Sequence, residues 1–378
     1  MSNEIEGNGT GGLKVGCPPD FKPAYPEDAK DREKFDSCVM SGIKGAKGKK
    51  RAAIFSHPQP DLDAIGCQMA IRHLLEVTYD IETDLYVDGD VSHPQNKIAA
   101  QLLDPDFIPV TKYRADAYFL NILVDTVPDN AGIGPNDIKF DIVIDHHKEI
   151  PSDFDGVTIH HHSGSCAGVV HDLLRAYGIE LDPENEAHVK VATAIWAGVI
   201  TDTMFCTKQD TTNRDFYAQQ CMFKIADSTM VRKIVKFKWP MTWVKLLGKA
   251  ITDHEVHDGL AVVGLGQLES DQFHAVAAIA DQMLSWGNIH TSVAFGFFDG
   301  KYISGCLRTS DDTMEVASLC AKLGGQYGNG GGKDFAGRYT KPLGAFEFEM
   351  DEVGEVMDRW WEIQKDREIK KIVKMLSK

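Results

Sequence analysis

Apolar residues in this chain come in short unbroken runs, separated by longer stretches where they recur every three or four positions. Ala52-Ala53-Ile54-Phe55-Ser56 is such a run and predicts a buried strand, while Ala64–Val77 behind it has helical spacing. Thr83–Val87 predicts a strand and Asn96–Leu103 a short helix. Tyr118–Val124, Asp141–Ile144 and Val157–His160 predict further strands. Cys166–Tyr177 and Glu186–Ile200 predict helices, and Thr212–Lys236 a single continuous one. Strands that are apolar on both faces and alternate with helices predict an α/β domain, a parallel sheet covered by helices. Chemistry in such sheets gathers at the carboxyl ends of the strands.

Around Phe237-Lys238-Trp239-Pro240 the pattern changes, and a second alternation follows. Leu260–Leu265, Thr291–Phe298, Tyr302–Leu307 and Ala345–Glu349 predict strands. Asp271–Trp286 and Met314–Leu323 predict helices, with a glycine cluster after the second that is expected to form a loop. Glu352–Ser377 predicts an amphipathic helix carrying Trp360 and Trp361, suited to packing on a domain edge. The organisation expected is an extension over 1–50, a first domain over 51–236, a linker over 237–252 and a smaller α/β domain over 253–378. The extension is rich in Gly, Pro and charge, with one helix near Asp28–Met40 and a basic run of Lys44, Lys47, Lys49, Lys50 and Arg51.

Composition narrows the function. A chain of 378 residues with 43% hydrophobic positions has material for two cores and is not mostly disordered. It has no run of 18 apolar residues to span a membrane, and Met-Ser-Asn-Glu-Ile-Glu-Gly-Asn does not read as a signal peptide, so a cytoplasmic protein without membrane partners is expected. Forty basic against 56 acidic residues leave a net charge of −16. That excludes an overall basic footprint for long duplex nucleic acid. A polyanionic substrate would need local cations or bound metal. The eight cysteines contain no C-x-x-C pair and are expected to be reduced core thiols.

The candidate chemistry sits where strands end. Ser56-His57-Pro58-Gln59-Pro60-Asp61-Leu62-Asp63 follows the first strand, with two prolines stiffening the turn. Asp61 and Asp63 also suit the capping of the next helix. Leu123-Val124-Asp125 ends a second strand, and Ile144-Asp145-His146-His147 ends a third. Ile200-Thr201-Asp202-Thr203 ends an apolar helix. Five carboxylates and three imidazoles on one sheet edge need protons or divalent cations to offset their repulsion. Oxygen and nitrogen donors without sulfur suit Mn²⁺ or Mg²⁺, and histidine favours Mn²⁺. Five carboxylates exceed the needs of one ion, whereas two ions sharing a carboxylate about 3.5–4 Å apart would use them.

H-x-x-P-D-x-D-x-x-G, the strand-ending Asp145-His146-His147 and G-x-x-T-D-T together resemble the DHH phosphoesterase superfamily. Ile303-Ser304-Gly305-Cys306-Leu307-Arg308 and Gly330-Gly331-Gly332-Lys333-Asp334-Phe335-Ala336-Gly337 resemble its small DHHA1 domain. Over roughly 51–350 the chain resembles the oligoribonuclease (nanoRNase) and pAp phosphatase group. The resemblance implies that the small domain faces the first across a cleft. It implies one metal on His57, Asp61 and Asp125, and a second on Asp63, Asp125, His146 and Asp202. Asp145 would orient a histidine, and His147 would meet the substrate phosphate. Arg308, Gly330, Gly331, Gly332 and Lys333 would hold the substrate. Three positions depart from the family: Leu62 and Met204 stand where Gly is common, and Lys333 replaces the His of G-G-G-H.

The function expected is hydrolysis of a short nucleotide (a linear dinucleotide, a nano-oligonucleotide or pAp) by water activated between two divalent ions. Mn²⁺ comes first as the cofactor, with Mg²⁺ or Co²⁺ behind it, and a homodimer is allowed. One rival is an inorganic pyrophosphatase or polyphosphatase sharing the first domain. The other is a non-catalytic replication or scaffold protein, whose relatives lose metal ligands that this chain keeps.

Overall fold

A computed structural model describes residues 25–46, 51–128, 138–147, 154–333, 335–342 and 355–377. The chain divides into two compact units, Met1–Lys238 and Trp239–Lys378. The expected strand at Ala345–Glu349 lies outside the described residues, as do Lys47, Lys49, Lys50 and Asp334.

In chain order the first unit contains α1 (Pro26–Gly45), β1 (Arg51–Phe55), α2 (Leu62–Tyr79), β2 (Glu82–Val87), α3 (Pro94–Leu103) and the short β3 (Ile108–Pro109). It continues with β4 (Leu120–Val124), β5 (Ile142–Asp145), β6 (Val157–His160), α4 (Cys166–Ala176), α5 (Glu186–Asp202), α6 (Asn213–Met222) and α7 (Ser228–Val235). The strands form one parallel sheet in the order β3-β2-β1-β4-β5-β6. The central strands β1, β4 and β5 are short, mainly apolar and largely buried on both faces, so hydrogen bonding to neighbours on either side is the way to satisfy their backbones. Ile54, Ile122 and Ile144 face the cluster built with α2, α4 and α5, while Phe55, Leu123 and Val143 face a second, aromatic cluster around Tyr86 and Phe140. The strand order reverses between β1 and β4. A parallel sheet opens a crevice beyond its carboxyl edge at such a point.

The described part of α1 reaches both ends of the helix expected near 28–40 and goes beyond them, to Pro26–Gly45. Its Phe35 and Val39 are fully buried in the first core. Arg214 of α6 holds its amino end, with Nη1 3.1 Å from Asp28 and 2.5 Å from Asp172 of α4, and Nη2 3.1 Å from Glu27. His161 pairs with Asp31 of the same helix.

The second unit contains α8 (Met241–Asp253), β7 (Glu255–His257), β8 (Leu260–Leu268), α9 (Phe273–Leu284), β9 (Thr291–Phe298), β10 (Tyr302–Thr309), α10 (Val316–Gly324), β11 (Asn329–Lys333), β12 (Ala336–Pro342) and α11 (Glu355–Leu376). Its sheet runs β11-β12-β10-β9-β8-β7, with β8 and β9 parallel and the other pairs antiparallel. Val262 faces Trp361, Ile369 and Ile372 of α11, while Ala261 and Val263 face Val276, Ile279 and Met283 of α9. That alternation explains why β8 reads as unbroken apolar sequence.

Four expectations need correction. Thr212–Lys236 is two helices, because Asp227 turns the chain and caps α7 through Thr229 N and Met230 N. Residues 241–252 of the expected linker belong to the helix α8, which buries Trp243 and Ala250. The glycine cluster is not a loop but the strand β11, paired with β12. Cys221 is disulfide-bonded, so not every cysteine is a free thiol.

Candidate metal centre

Every residue predicted as a metal ligand lies in the first unit, and the fold brings all six together. β1 ends at Phe55, and the proline-stiffened turn presents His57 before Asp61 starts α2. Asp61 does cap that helix, accepting from Asp63 N at 2.9 Å and Ala64 N at 3.1 Å through one oxygen, Oδ1. The oxygen that caps the helix is also the one nearest His57 Nε2, so one carboxylate oxygen serves both readings. Asp125 directly follows β4 with φ 57°, a left-handed turn that costs a non-glycine residue about 1 kcal/mol and that Asp tolerates better than most. Its N–H still donates to Ile144 O at 2.9 Å, tying the turn to the end of β5. Asp202 is the last residue of α5.

Three overlapping donor groups occur there among the described residues. His57, Asp61 and Asp125 form one, Asp63, His146 and Asp202 a second, and Asp125, Asp145, His146 and His147 a third. His57 Nε2 lies 3.8 Å from Asp61 Oδ1 and 3.5 Å from Asp125 Oδ2. His146 Nε2 lies 3.5 Å from Asp125 Oδ1, 3.5 Å from Asp202 Oδ2 and 3.9 Å from Asp63 Oδ2. These gaps are too long for good hydrogen bonds and suit neighbouring donors around a common ion. Asp125 turns Oδ2 to His57 and Oδ1 to His146, so it stands between the first two groups. Its Oδ1 and Asp202 Oδ2 are buried without a hydrogen-bond partner.

The imidazoles are oriented from behind. His57 Nδ1 donates to Pro58 O at 3.0 Å, and His146 Nδ1 to Ser163 O at 2.9 Å. Each bond leaves Nε2 toward the carboxylates, as metal-binding histidines require. Asp63 is held from outside the group: Oδ2 accepts from Cys166 N at 2.6 Å and Oδ1 from Ala167 N at 2.8 Å, the first amides of α4. Ser163-Gly164-Ser165 leads into the amino end of α4, where free amides suit an anion. The anion that the helix start receives is the protein's own Asp63.

Electrostatics match the crowding. Burial pulls the His57 imidazole down, but the Asp125 and Asp61 carboxylates outweigh it and push it up to about 11. His146 is likewise opposed by burial and raised by Asp125, Asp63 and Asp202 to about 10. Burial, then Asp125 and Asp202, drives Asp63 well above the usual carboxylate range. Burial raises Asp202 to about 6 against the pull of His146 and Lys208. Asp125 is the exception: burial would raise it, yet His146 and His57 hold it well below the usual range. Protons thus do here what divalent cations would do. The donor chemistry, the paired grouping and the unpartnered buried oxygens fit divalent metal, and this cluster suggests divalent-metal dependence.

Asp145 is fully buried and accepts from His147 Nδ1 at 2.8 Å. The His147 ring is partly exposed and tilted against that of His146, with centroids 4.5 Å apart. His160 contacts the His147 carbonyl and His161 contacts Asp31, so these two histidines brace this edge and α1. The substrate candidates Arg308, Gly330, Gly331, Gly332 and Lys333 lie in the second unit. Arg308 Nε is 2.5 Å from Asp281 Oδ1, and Lys333 ends the exposed β11. Gly330 and Gly332 are packing glycines: a Cβ would stand 2.1 Å from Cys320 O at the first and 2.5 Å from Ala336 O at the second. A Cβ at Gly331 would meet nothing within 4 Å.

The sequence reading missed three features. Lys208 Nζ lies 3.8 Å from Asp202 Oδ1, although the lysine reads as a surface residue. Met204, Phe205 and Cys206 follow in successive left-handed conformations, with Met204 and Phe205 exposed. The glycine expected after T-D-T would have signalled that turn. Asp215, treated below, looks in sequence like any acidic residue in a first helical turn.

Residues 51–199 match the DHH family, N-terminal domain. A search of curated proteins finds no match to the chain. Among solved structures, an exopolyphosphatase-related protein from Bacteroides fragilis superposes with a TM-score of 0.61 at 19% identity, covering 88% of this chain and 98% of that one. It shares the fold across both units. A Methanococcus jannaschii protein, provisionally described as a family II inorganic pyrophosphatase, gives a TM-score of 0.38 at 17% identity, covering 70% of this chain and 90% of that one, too low an overlap to weigh.

Proposed function

Because residues 51–199 belong to the DHH family, we propose that the chain is a divalent-metal-dependent phosphoesterase acting on short nucleotides: linear dinucleotides, nano-oligonucleotides or pAp. The observation that carries the reading is the pair of donor groups with Asp125 between them. His57, Asp61 and Asp125 would hold one ion, and Asp63, Asp125, His146 and Asp202 the other, with Mn²⁺ preferred. Such ions would offset charge on the phosphoryl oxygens and make an attacking water more acidic.

The remaining work falls to the chain's own groups. Asp145 fixes His147 through Nδ1, leaving Nε2 to hold a proton and release it to a departing oxygen. Arg308 would exchange Asp281 for a phosphate oxygen, a charge-assisted bond of the same kind. Gly331 has no packing role for its missing Cβ, which supports close approach of substrate to the backbone of β11. Lys333, at the end of that strand, would attract a remote phosphate as a point charge. The net charge of −16 supports a short substrate, since a long strand would need a basic track.

A second reading, hydrolysis of inorganic pyrophosphate or short polyphosphate, draws on the same donor groups and on the name of the Bacteroides fragilis protein. An activity panel on the full chain with Mn²⁺ separates them. It should contain pAp, pApA, pGpG, cyclic dinucleotides, short RNA and pyrophosphate. Turnover of a linear dinucleotide or pAp well above pyrophosphate supports the first reading. Turnover of pyrophosphate alone replaces it with the second, and no turnover of any member refutes both.

A further inference from the structure

Asp215 is fully buried in the first turn of α6, on a different helix from every proposed ligand. Its carboxylate collects donors from two segments. Ser163 Oγ lies 3.0 Å from both of its oxygens, Gly164 N donates to Oδ2 at 2.9 Å and Ser165 Oγ to Oδ1 at 2.6 Å. From its own turn, Thr212 N donates at 2.8 Å and Thr212 Oγ1 at 2.9 Å. Two glycines give it room: a Cβ at Gly168 would stand 2.9 Å from Oδ1, and one at Gly164 3.1 Å from Oδ2. That is more bonding than capping α6 requires, and most of it goes to one loop.

The loop does two things for the metal centre. The Ser163 carbonyl accepts the His146 Nδ1 proton and so turns Nε2 toward Asp125 and Asp202. Three and four residues later, Cys166 N and Ala167 N hold both oxygens of Asp63. Ser165 links the ends, donating to Asp215 while its Oγ accepts Gly168 N at 3.1 Å to cap α4. Asp63 and His146 belong to the same donor group, and the His57–Asp61–Asp125 group makes none of these bonds. We propose that Asp215 is a positioning residue for one of the two metal positions, setting Asp63 and His146 together through the 163–167 loop. This rests on the metal-centre reading above and assigns Asp215 a task that the ligands do not disclose.

The test is Mn²⁺ titration of the metal-free full chain by calorimetry, with electron paramagnetic resonance to count bound ions. Asp215→Asn keeps shape and one oxygen for Gly164 N and Thr212 N, but puts an amide group, which cannot accept, where Ser163 Oγ and Ser165 Oγ now donate. One of the two binding events should weaken at least tenfold, the scale seen for groups that orient metal ligands, while the other stays within about threefold. Asp172→Asn is the control, since it removes an equally buried carboxylate, paired with Arg214 and away from the loop. It should lower the melting temperature and leave both events unchanged. Should Asp215→Asn not fold, Ser163→Ala removes one bond to Asp215 and keeps the carbonyl that His146 uses. It should weaken the same single event severalfold. Equal weakening of both events, or none in the variant that folds, overturns the proposal. Wild-type protein that binds no Mn²⁺ overturns the metal reading and this inference with it.

Discussion

Gly330→Ala and Gly331→Ala are adjacent, chemically identical changes for which the structure gives opposite outcomes. At Gly330 the new Cβ would stand 2.1 Å from Cys320 O and 2.3 Å from the Cys320 carbonyl carbon, both backbone atoms of α10. Neither atom can rotate away, so α10 must move off β11 by about an ångström. That motion loosens Val316, Cys320 and Leu323, all in the core of the second unit. Overpacking of this kind costs roughly 1–3 kcal/mol, and a backbone clash belongs at or above the top of that range. For a unit of this size about 3 kcal/mol lowers the melting temperature by roughly 10 °C. At Gly331 no atom lies within 4 Å of the new Cβ, and the backbone is not left-handed. There Ala should be neutral, or stabilise by up to about 1 kcal/mol by restricting the unfolded chain. The assay is calorimetric melting of the full chain, followed by steady-state kinetics on the preferred substrate. If β11 meets a phosphate, Gly331→Ala should raise KM with unchanged stability. A Gly330→Ala protein melting within 1 °C of wild type, or a Gly331→Ala protein as unstable as Gly330→Ala, would refute the packing argument.

Met204 is exposed with φ 49°, so Met204→Gly should relieve backbone strain and stabilise by up to about 1 kcal/mol in chemical denaturation, whereas a loss would show that the turn is unstrained. His73 is lowered to about 4 by burial and by His188, so between pH 6.5 and 4 the unfolded state binds more protons than the folded one. Stability from this group is therefore full above pH 6.5 and falls by up to about 3 kcal/mol toward pH 4. His73→Gln should flatten that limb of a melting-versus-pH series, and an unchanged limb would remove His73 as its cause. His147→Ala should slow hydrolysis by about 10²–10⁴ with Mn²⁺ content nearly intact, and loss of metal would show that it is a ligand instead.

What was legible in sequence followed from local pattern. Short apolar runs alternating with helical periodicity predict a parallel sheet, and carboxylates at the ends of β1, β4 and β5 then fall on one edge without further assumption. Where burial depended on partners distant in sequence, the reading went astray. Residues 241–252 looked like linker because only Trp243 and Ala250 of α8 are buried, against a core that the sequence does not place. The glycine cluster looked like a loop because glycine disfavours strands. Gly330 and Gly332 are in β11 because α10 and β12 approach too closely for any side chain. Asp215 and Arg214 occupy adjacent positions in one helical turn, yet one serves the loop behind His146 and the other clamps α1. No spacing rule marks either, since their partners lie on other elements.

The central claim is that two divalent ions bind between His57 and His146 with Asp125 serving both. Calorimetric Mn²⁺ titration of metal-free wild-type and Asp125→Ala chains tests it most directly. The account predicts two ions per wild-type chain, and in the variant a weakening of both binding events together with loss of phosphoester hydrolysis. A single ion per wild-type chain, or two ions bound as tightly without the Asp125 carboxylate, would contradict it.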